Sequence, residues 1–200
     1  MKKIILVKPT LNIPKSIAII GSSKSILNKE QGDTIDEYDH VVRFNFAKIN
    51  DYKKYVGSKV SLMVINNNCY EKLKDNNDYK DILVISPYKE KRINHHNFNL
   101  YFLEKKKLQY FVAVRFINNL NIFLKLIKLL KRNNFSVGFY FTLLSIASGF
   151  KPTLFGFDLS EDMAKRKHYY KEHEIGNVHN LKFEHEILRN LKDKKIIDVK

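Results

Sequence analysis

The sequence predicts an α/β fold, a mainly parallel sheet flanked by helices, and three observations carry that prediction. Short continuous apolar runs, such as 17–20 (IAII) and 82–85 (ILVI), stop abruptly at Gly or Ser, the pattern of strands buried on both faces. Segments with apolar residues at helical spacing stand between such runs, so strand and helix alternate. The 200 residues hold no internal repeat and no Pro/Gly/Ser-rich linker, which fits one compact domain over 1–200.

The first strand reads Ser16 to Gly21. Ser22, Ser23 and Ser25 follow it, short residues that cap a helix or leave backbone N–H groups facing an anion. Further strands read Val41–Asn45, Val60–Ile65 and Ile82–Ile85, and polar residues close or follow each: Asn45, then Asn66-Asn67-Asn68, then Ser86-Pro87. Ligands of open α/β sheets bind beyond the carboxyl ends of the strands, so these asparagines are of more interest than the lysines. Phe116 to Arg132 carries apolar residues at helical spacing with Lys125, Lys128, Lys131 and Arg132 between them. That spacing predicts a core-packing helix with a basic edge, which also suits contact with an anionic membrane. Ser136 to Ser148 predicts a second helix closed by Gly149, and Pro152 to Asp158 another buried strand.

Composition narrows the function classes. With 44% hydrophobic and 28% charged residues, the chain has the make-up of a globular protein, not a disordered one. Thirty-six Lys and Arg against 21 Asp and Glu give a formal net charge of +15. That charge favours a polyanionic neighbour: nucleic acid, an anionic membrane or a nucleotide substrate. The lysines are scattered, whereas base-reading modules concentrate charge on one helix or arm, so nucleic acid is not the expected partner. Cys69 is the single cysteine; no intrachain disulfide can form, and a reducing, cytoplasmic location is the simpler expectation. The apolar run Ile4 to Val7 is too short for a signal sequence or a membrane span.

The stretch HYYKEHEIGNVHNLKFEHEI, 168–187, gathers four of the seven histidines with four glutamates. A zinc motif of the H-E-x-x-H type puts two histidines one helical turn apart, but six residues separate His173 from His179 and Gly176 intervenes. No metal is expected there. The segment GSSKSI supplies only the first glycine of a dinucleotide fingerprint, and the glycine and lysine of a phosphate-binding P-loop are out of register.

Several stretches, in order, carry a resemblance. IAIIGSSKSILNKEQGDTIDEYDHVVRFNFA at 17–47, followed by VGSK at 56–59, has a strand into a turn, an acidic segment and an R-x-N strand end. SVGFYFTLLSIASGFKPTLFGFD occupies 136–158, and HYYKE (168–172) precedes NVHNLKFE (177–184). Together they resemble the sialyltransferases of glycosyltransferase family 29, the animal-type enzymes, over roughly residues 16 to 190. INNN at 65–68 and the short chain also lean towards the bacterial sialyltransferases of family 42.

The resemblance implies a Rossmann-like domain, a GT-A-like sialyltransferase variant. It implies transfer of sialic acid from CMP-sialic acid to a glycan or glycolipid hydroxyl, with inversion and without cofactor or essential metal. By the family pattern His179 is the general base, a role for which a neutral imidazole is suited. His168, Tyr169 and Tyr170 would then stabilise the departing CMP phosphate, and Glu184 would orient a residue or the following helix. Gly21, Ser22 and Ser23 form the first turn of the donor site. Ser136 and Gly138 would hold the donor at a helix N-terminus, and Asn45 and Asn66 would bond the cytidine or its ribose. Arg43 reads as structural, and Glu172, His173 and His185 read as solvated.

Three departures qualify the match. Ser22 stands where the families carry Asn, and the cysteine pair of the animal enzymes is missing, as are their stem and membrane anchor. A near-minimal bacterial enzyme is therefore expected, cytoplasmic or peripheral at the inner membrane and serving lipooligosaccharide or capsule synthesis. Alternatives are the same fold using CMP-Kdo, or a non-catalytic basic module that binds nucleic acid or anionic lipid.

Overall fold

One sheet of seven strands organises the chain: β1 (Ile17–Ile20), β2 (His40–Phe44), β3 (Leu62–Asn66), β4 (Asp81–Ser86), β5 (Asn99–Glu104), β6 (Thr153–Phe155) and β7 (Asp198–Val199). Their order is β5-β4-β3-β2-β1-β6-β7, and every pairing is parallel. The computed structural model describes residues 15–66, 68–69, 79–86, 99–104, 135–160, 168–170 and 181–200. The helix expected over 116–132 lies outside them.

Four α-helices belong to the described residues: α1 (Gly32–Asp36), α2 (Lys53–Val56), α3 (Val137–Ala147) and α4 (Leu181–Asp193). Among these residues no helix is long and apolar enough to cross a membrane. They explain why β1 is apolar at every position. Ile17 and Ile19 of β1 face α3 and α4, while Ala18 and Ile20 face Ile35 of α1 and Val56 of α2. All four residues of β1 are buried, since successive side chains leave a strand on opposite faces and both faces are covered.

The predicted helix over 136–148 is observed as α3, with Ser136 as its N-cap and Ser148 as its C-cap. The Phe150 N–H reaches the Ser145 carbonyl at 3.1 Å and the Gly149 N–H reaches Ile146 at 2.9 Å, the paired bonds of a Schellman ending. α4 is amphipathic: Glu184, Ile187, Leu188 and Leu191 are buried, spaced as one helical face.

Arg43, read from the sequence as structural, is 2% exposed. Its Nε donates to the Lys59 carbonyl at 2.9 Å and its Nη2 to that of Val56 at 2.6 Å. From the other side Asp36 accepts the Ser58 N–H at 2.8 Å, the Ser58 hydroxyl at 2.7 Å and the Lys59 N–H at 2.9 Å. The VGSK segment is thus clamped between the acidic helix α1 and strand β2. Partial burial works against the Asp36 charge, but the hydrogen bonds from Ser58 and Lys59 and the nearby Arg43 outweigh it and hold the carboxyl below its usual range.

A carboxyl whose folded pKa is depressed contributes stability above its unfolded value and loses it as pH falls through the folded one. Asp36→Asn should therefore cost about 1–2 kcal/mol at pH 7. In urea unfolding the gap to wild type should narrow as pH drops below about 4; a gap unchanged down to pH 3 would count against the clamp.

Candidate active site

The sheet changes direction at β1, which pairs with β2 on one side and β6 on the other. A crevice opens at the carboxyl ends of strands around such a switch point. Here it is a cleft of about 370 Å³ bordered by the exits of β1, β2, β3 and β6, the start of α3, the 168–170 turn and α4.

At the exit of β1 the Gly21 N–H bonds the Phe155 carbonyl at 2.7 Å, and Ser23 N–H bonds that of Gly156 at 3.0 Å. The 168–170 turn docks on this segment. Tyr169 N–H bonds the Ser22 carbonyl at 3.0 Å, Ser22 Oγ lies 2.5 Å from His168 Nδ1, and Ser22 also hydrogen-bonds the Tyr170 side chain. His168 and Tyr170 stack, with ring centroids 5.3 Å apart, and both line the cleft. Burial raises the Tyr170 phenol above its ordinary value, with nearby Cys69 adding to the effect. The hydroxyl therefore stays protonated near neutral pH and can donate.

Tyr169 corrects the expectation that both tyrosines serve the cleft. It is 6% exposed and packs in the core on the opposite face of the sheet, where its hydroxyl donates to the Lys48 carbonyl. The cause is local: the turn is pinned on Ser22 through the Tyr169 N–H and the His168 ring, so His168 and Tyr170 face the cleft and Tyr169 is turned away.

The two asparagines sit at adjacent strand ends. Asn45 Oδ1 accepts the Asn66 N–H at 2.9 Å, and Asn66 Oδ1 accepts that of Cys69 at 3.1 Å. Each side chain is oriented through its carbonyl oxygen, leaving the amide Nδ2–H groups as the donors it can offer.

Glu184, 2% exposed, fixes the start of α3. Its carboxylate accepts the Ser136 N–H at 2.7 Å and the Ser136 hydroxyl at 2.6 Å, while Ser136 Oγ accepts the Phe139 N–H at 3.1 Å. A carboxylate at a helix N-terminus also meets the positive end of the macrodipole. Val137 and Gly138, whose amides have no intrahelical acceptor in the first turn, line the cleft. Gly138 carries no side chain where the Phe157 ring packs; a Cβ there would lie 3.2 Å from the ring.

The structure therefore brings together Gly21, Ser22, Ser23, Asn45, Asn66, Ser136, Gly138, His168, Tyr170 and Glu184. His179 lies outside the described residues, as do Glu172 and His173. His185, read as solvated, is 9% exposed and faces the cleft, because it lies on the inner side of α4 next to Glu184. Phe46, Phe157 and Asp158 also line the cleft and were given no role from sequence. The last two follow a strand ending in glycine, the signal that could have found them. No Lys or Arg is among the described residues of the cleft, and no three His, Cys, Asp or Glu side chains cluster among the described residues as a metal set would.

Glu184→Ala should strand two buried donors and lower stability by about 3 kcal/mol. Glu184→Gln, which keeps one acceptor oxygen, should lose roughly half of that. Chemical denaturation of the two variants tests the ordering, and equal losses would refute it.

The model of glycosyltransferase family 29 (sialyltransferase) matches residues 11–196. The beta-galactoside alpha-2,6-sialyltransferase 2 of Gallus gallus is 37% identical over 75 residues, 36% of this chain and 14% of that protein. A beta-1,6-galactosyltransferase of Arabidopsis thaliana is 43% identical over 53 residues, 26% of this chain and 13% of that protein. The matched segments thus span only a small part of these relatives. A mammalian sialyltransferase in complex with Gal-beta-1-3GalNAc-ortho-nitrophenol shares the fold with a TM-score of 0.64 at 17% identity, covering 92% of this chain and 68% of that one. For the sialyltransferase CstII of Campylobacter jejuni, solved with cytidine-5'-monophosphate, the TM-score is 0.56 at 17% identity, with 94% and 79% covered. A model that spans nearly the whole chain, on a fold shared with solved sialyltransferases, makes this protein a member of glycosyltransferase family 29.

Proposed function

We propose that the protein transfers sialic acid from CMP-sialic acid to a glycan hydroxyl, with inversion, with His179 as general base and without a metal. The observation that carries this reading is the convergence of the motif residues on one cleft at the switch point, whose described lining offers hydroxyl, amide and imidazole groups beside Asp158 and Glu184 and includes no lysine or arginine. A nucleotide phosphate leaving from there is met by the Tyr170 hydroxyl, the His168 imidazole and the first amides of α3. Donors held in place in a partly buried site stabilise developing negative charge without reorganising.

In the proposed reaction the acceptor oxygen attacks the anomeric carbon on the face opposite the phosphate. The new carbon–oxygen bond forms as the bond to CMP breaks, and the acceptor proton passes to His179. This histidine lies two positions before Leu181 in the chain, and Leu181 lines the cleft. Asn45 and Asn66 at the strand ends are placed to read the cytidine or its ribose. That the fold-mate from Campylobacter jejuni was solved with CMP supports the nucleotide. The Arabidopsis relative, named a galactosyltransferase, leaves the donor sugar to experiment. The net charge of +15, absent from the described cleft lining, suits peripheral contact with an anionic membrane where a glycolipid acceptor would lie.

The purified protein is expected to release CMP from CMP-sialic acid in the presence of EDTA, with release accelerated by a lactose acceptor. His179→Ala should reduce transfer by about 100-fold or more. Activity that disappears with EDTA and returns with a divalent cation would overturn the metal-free scheme; full activity in His179→Ala would overturn the base.

The two tyrosines should separate. Tyr170→Phe is expected to lower kcat by about tenfold with an unchanged melting temperature. Tyr169→Phe should instead cost about 1 kcal/mol of stability and leave kcat nearly intact. The reverse assignment would show that the wrong ring has been placed at the phosphate.

A further inference from the structure

Phe46 borders two cavities. One is the cleft; the other is a groove of about 650 Å³ running from Phe46 to Tyr79 past Lys48, Asp51 and Lys53. The two spaces therefore share a wall. Phe46 reaches that position through an unusual backbone: Asn45 and Phe46 both have positive φ, at 52° and 55°. Asparagine tolerates this region, but a bulky aromatic rarely adopts it, and such outliers collect where a ligand is held. The result sets the Phe46 ring beside that of Tyr79, with centroids 5.7 Å apart and planes tilted by 44°. Both rings are only half-buried, while Lys48, Asn50, Asp51 and Lys53 on the rim are exposed.

An aromatic floor under a rim of charged and amide side chains matches one chemistry well. A pyranose ring has an apolar face of C–H groups and a girdle of hydroxyls. It can lie flat on the rings while the rim accepts and donates hydrogen bonds. A lipid tail would leave the rim unmatched, and a bare phosphate would gain nothing from the rings. The groove is also tied to the proposed chemistry by a direct hydrogen bond. The carbonyl of Lys48, on its rim, accepts the Tyr169 hydroxyl, and Tyr169 is flanked by the cleft residues His168 and Tyr170.

We infer that this groove holds the acceptor's sugar chain, with a pyranose stacked on the Phe46–Tyr79 pair and its attacking hydroxyl reaching the cleft past Phe46. The inference rests on the transferase reading above and adds to it the place and mode of acceptor binding. Tyr79 is the residue to test, because it borders the groove and not the cleft. Tyr79→Leu removes the ring yet keeps apolar cover over the Met63 and Ile82 core on which Tyr79 packs; Tyr79→Phe keeps the ring.

Saturation-transfer NMR with lactose, cellobiose and chitobiose, alongside CMP, reads the groove without turnover. Wild type and Tyr79→Phe should bind at least one disaccharide through its ring C–H protons. Tyr79→Leu should bind it about fivefold to tenfold more weakly and bind CMP as wild type does. With CMP-sialic acid and lactose, the same variant should raise the acceptor KM by a similar factor while donor hydrolysis without acceptor is unchanged. Disaccharide binding indifferent to Tyr79→Leu, or absent from wild type, overturns the groove assignment whatever CMP does. A wild type that binds disaccharide through Tyr79 but neither binds CMP nor hydrolyses the donor supports the groove and overturns the donor reading instead.

Discussion

The close approach of two strand exits is the constraint on which the rest of the structure depends. Where β1 and β6 leave the sheet, Gly21 and Gly156 are so near that a Cβ on Gly21 would lie 2.4 Å from the Gly156 carbonyl oxygen. Gly156 itself has a φ of +66°, which glycine adopts without steric cost. Two ladder-like bonds join the exits before the chains part, and the parting is what opens the cleft. A side chain at residue 21 would push the exits apart and misplace Ser22, on which the 168–170 turn is docked. The glycine that reads in sequence as a strand terminator therefore acts in the fold as a spacer of zero width.

The walls of the cleft are held by polar ties between segments far apart in the chain. Ser22 and His168 are 146 residues apart, and Ser136 and Glu184 are 48. Such contacts cost chain entropy to form, so they persist only where the framework already brings the partners close. That framework is the parallel sheet and the apolar contacts of α3 and α4 against it. Glu184 shows the dependence in one residue: it is carried by the buried face of an amphipathic helix, and its charge is tolerable there because the N-cap of another helix supplies the donors. Arg43 is the same solution on the opposite face, a buried cation that serves backbone carbonyls and does not line the cleft.

Strands β1 to β4, β6 and helix α3 were legible because each is a continuous apolar or helically spaced run with punctuation at its end. β5 and β7 were not: NLYFLE mixes polar with apolar residues, and a two-residue strand has no pattern to read. α4 was hidden as a helix because Glu184 and His185 lie on its buried face, so its polar pattern misreports what faces the core. The motif residues, by contrast, were legible as types and in chain order, and ten of them meet in one cleft. What sequence did not supply was direction. Tyr169 and Tyr170 are identical letters, and only the way the 168–170 turn docks on Ser22 decides which one faces the cleft. Phe46 gave no signal at all, since nothing in the string FNF announces a left-handed aromatic.

The distribution of charge follows from the same economy. A chain with a net charge of +15 shows no lysine among the described residues of its cleft; lysines there would bind an anionic ligand strongly before and after reaction alike. Such uniform binding favours the ground state as much as the transition state and does not raise turnover. In the proposed reaction, hydroxyls, an imidazole and helix amides would bind a resting phosphodiester less tightly, yet respond as negative charge grows on the leaving oxygen. Tyr170 fits that proposed role, since partial burial raises its phenol above the ordinary value and leaves it a donor at neutral pH. Exposed basic residues such as Lys24, Lys29, Lys48, Lys53 and Lys54 lie outside the described cleft lining, where charge can attract an anionic surface over a longer range.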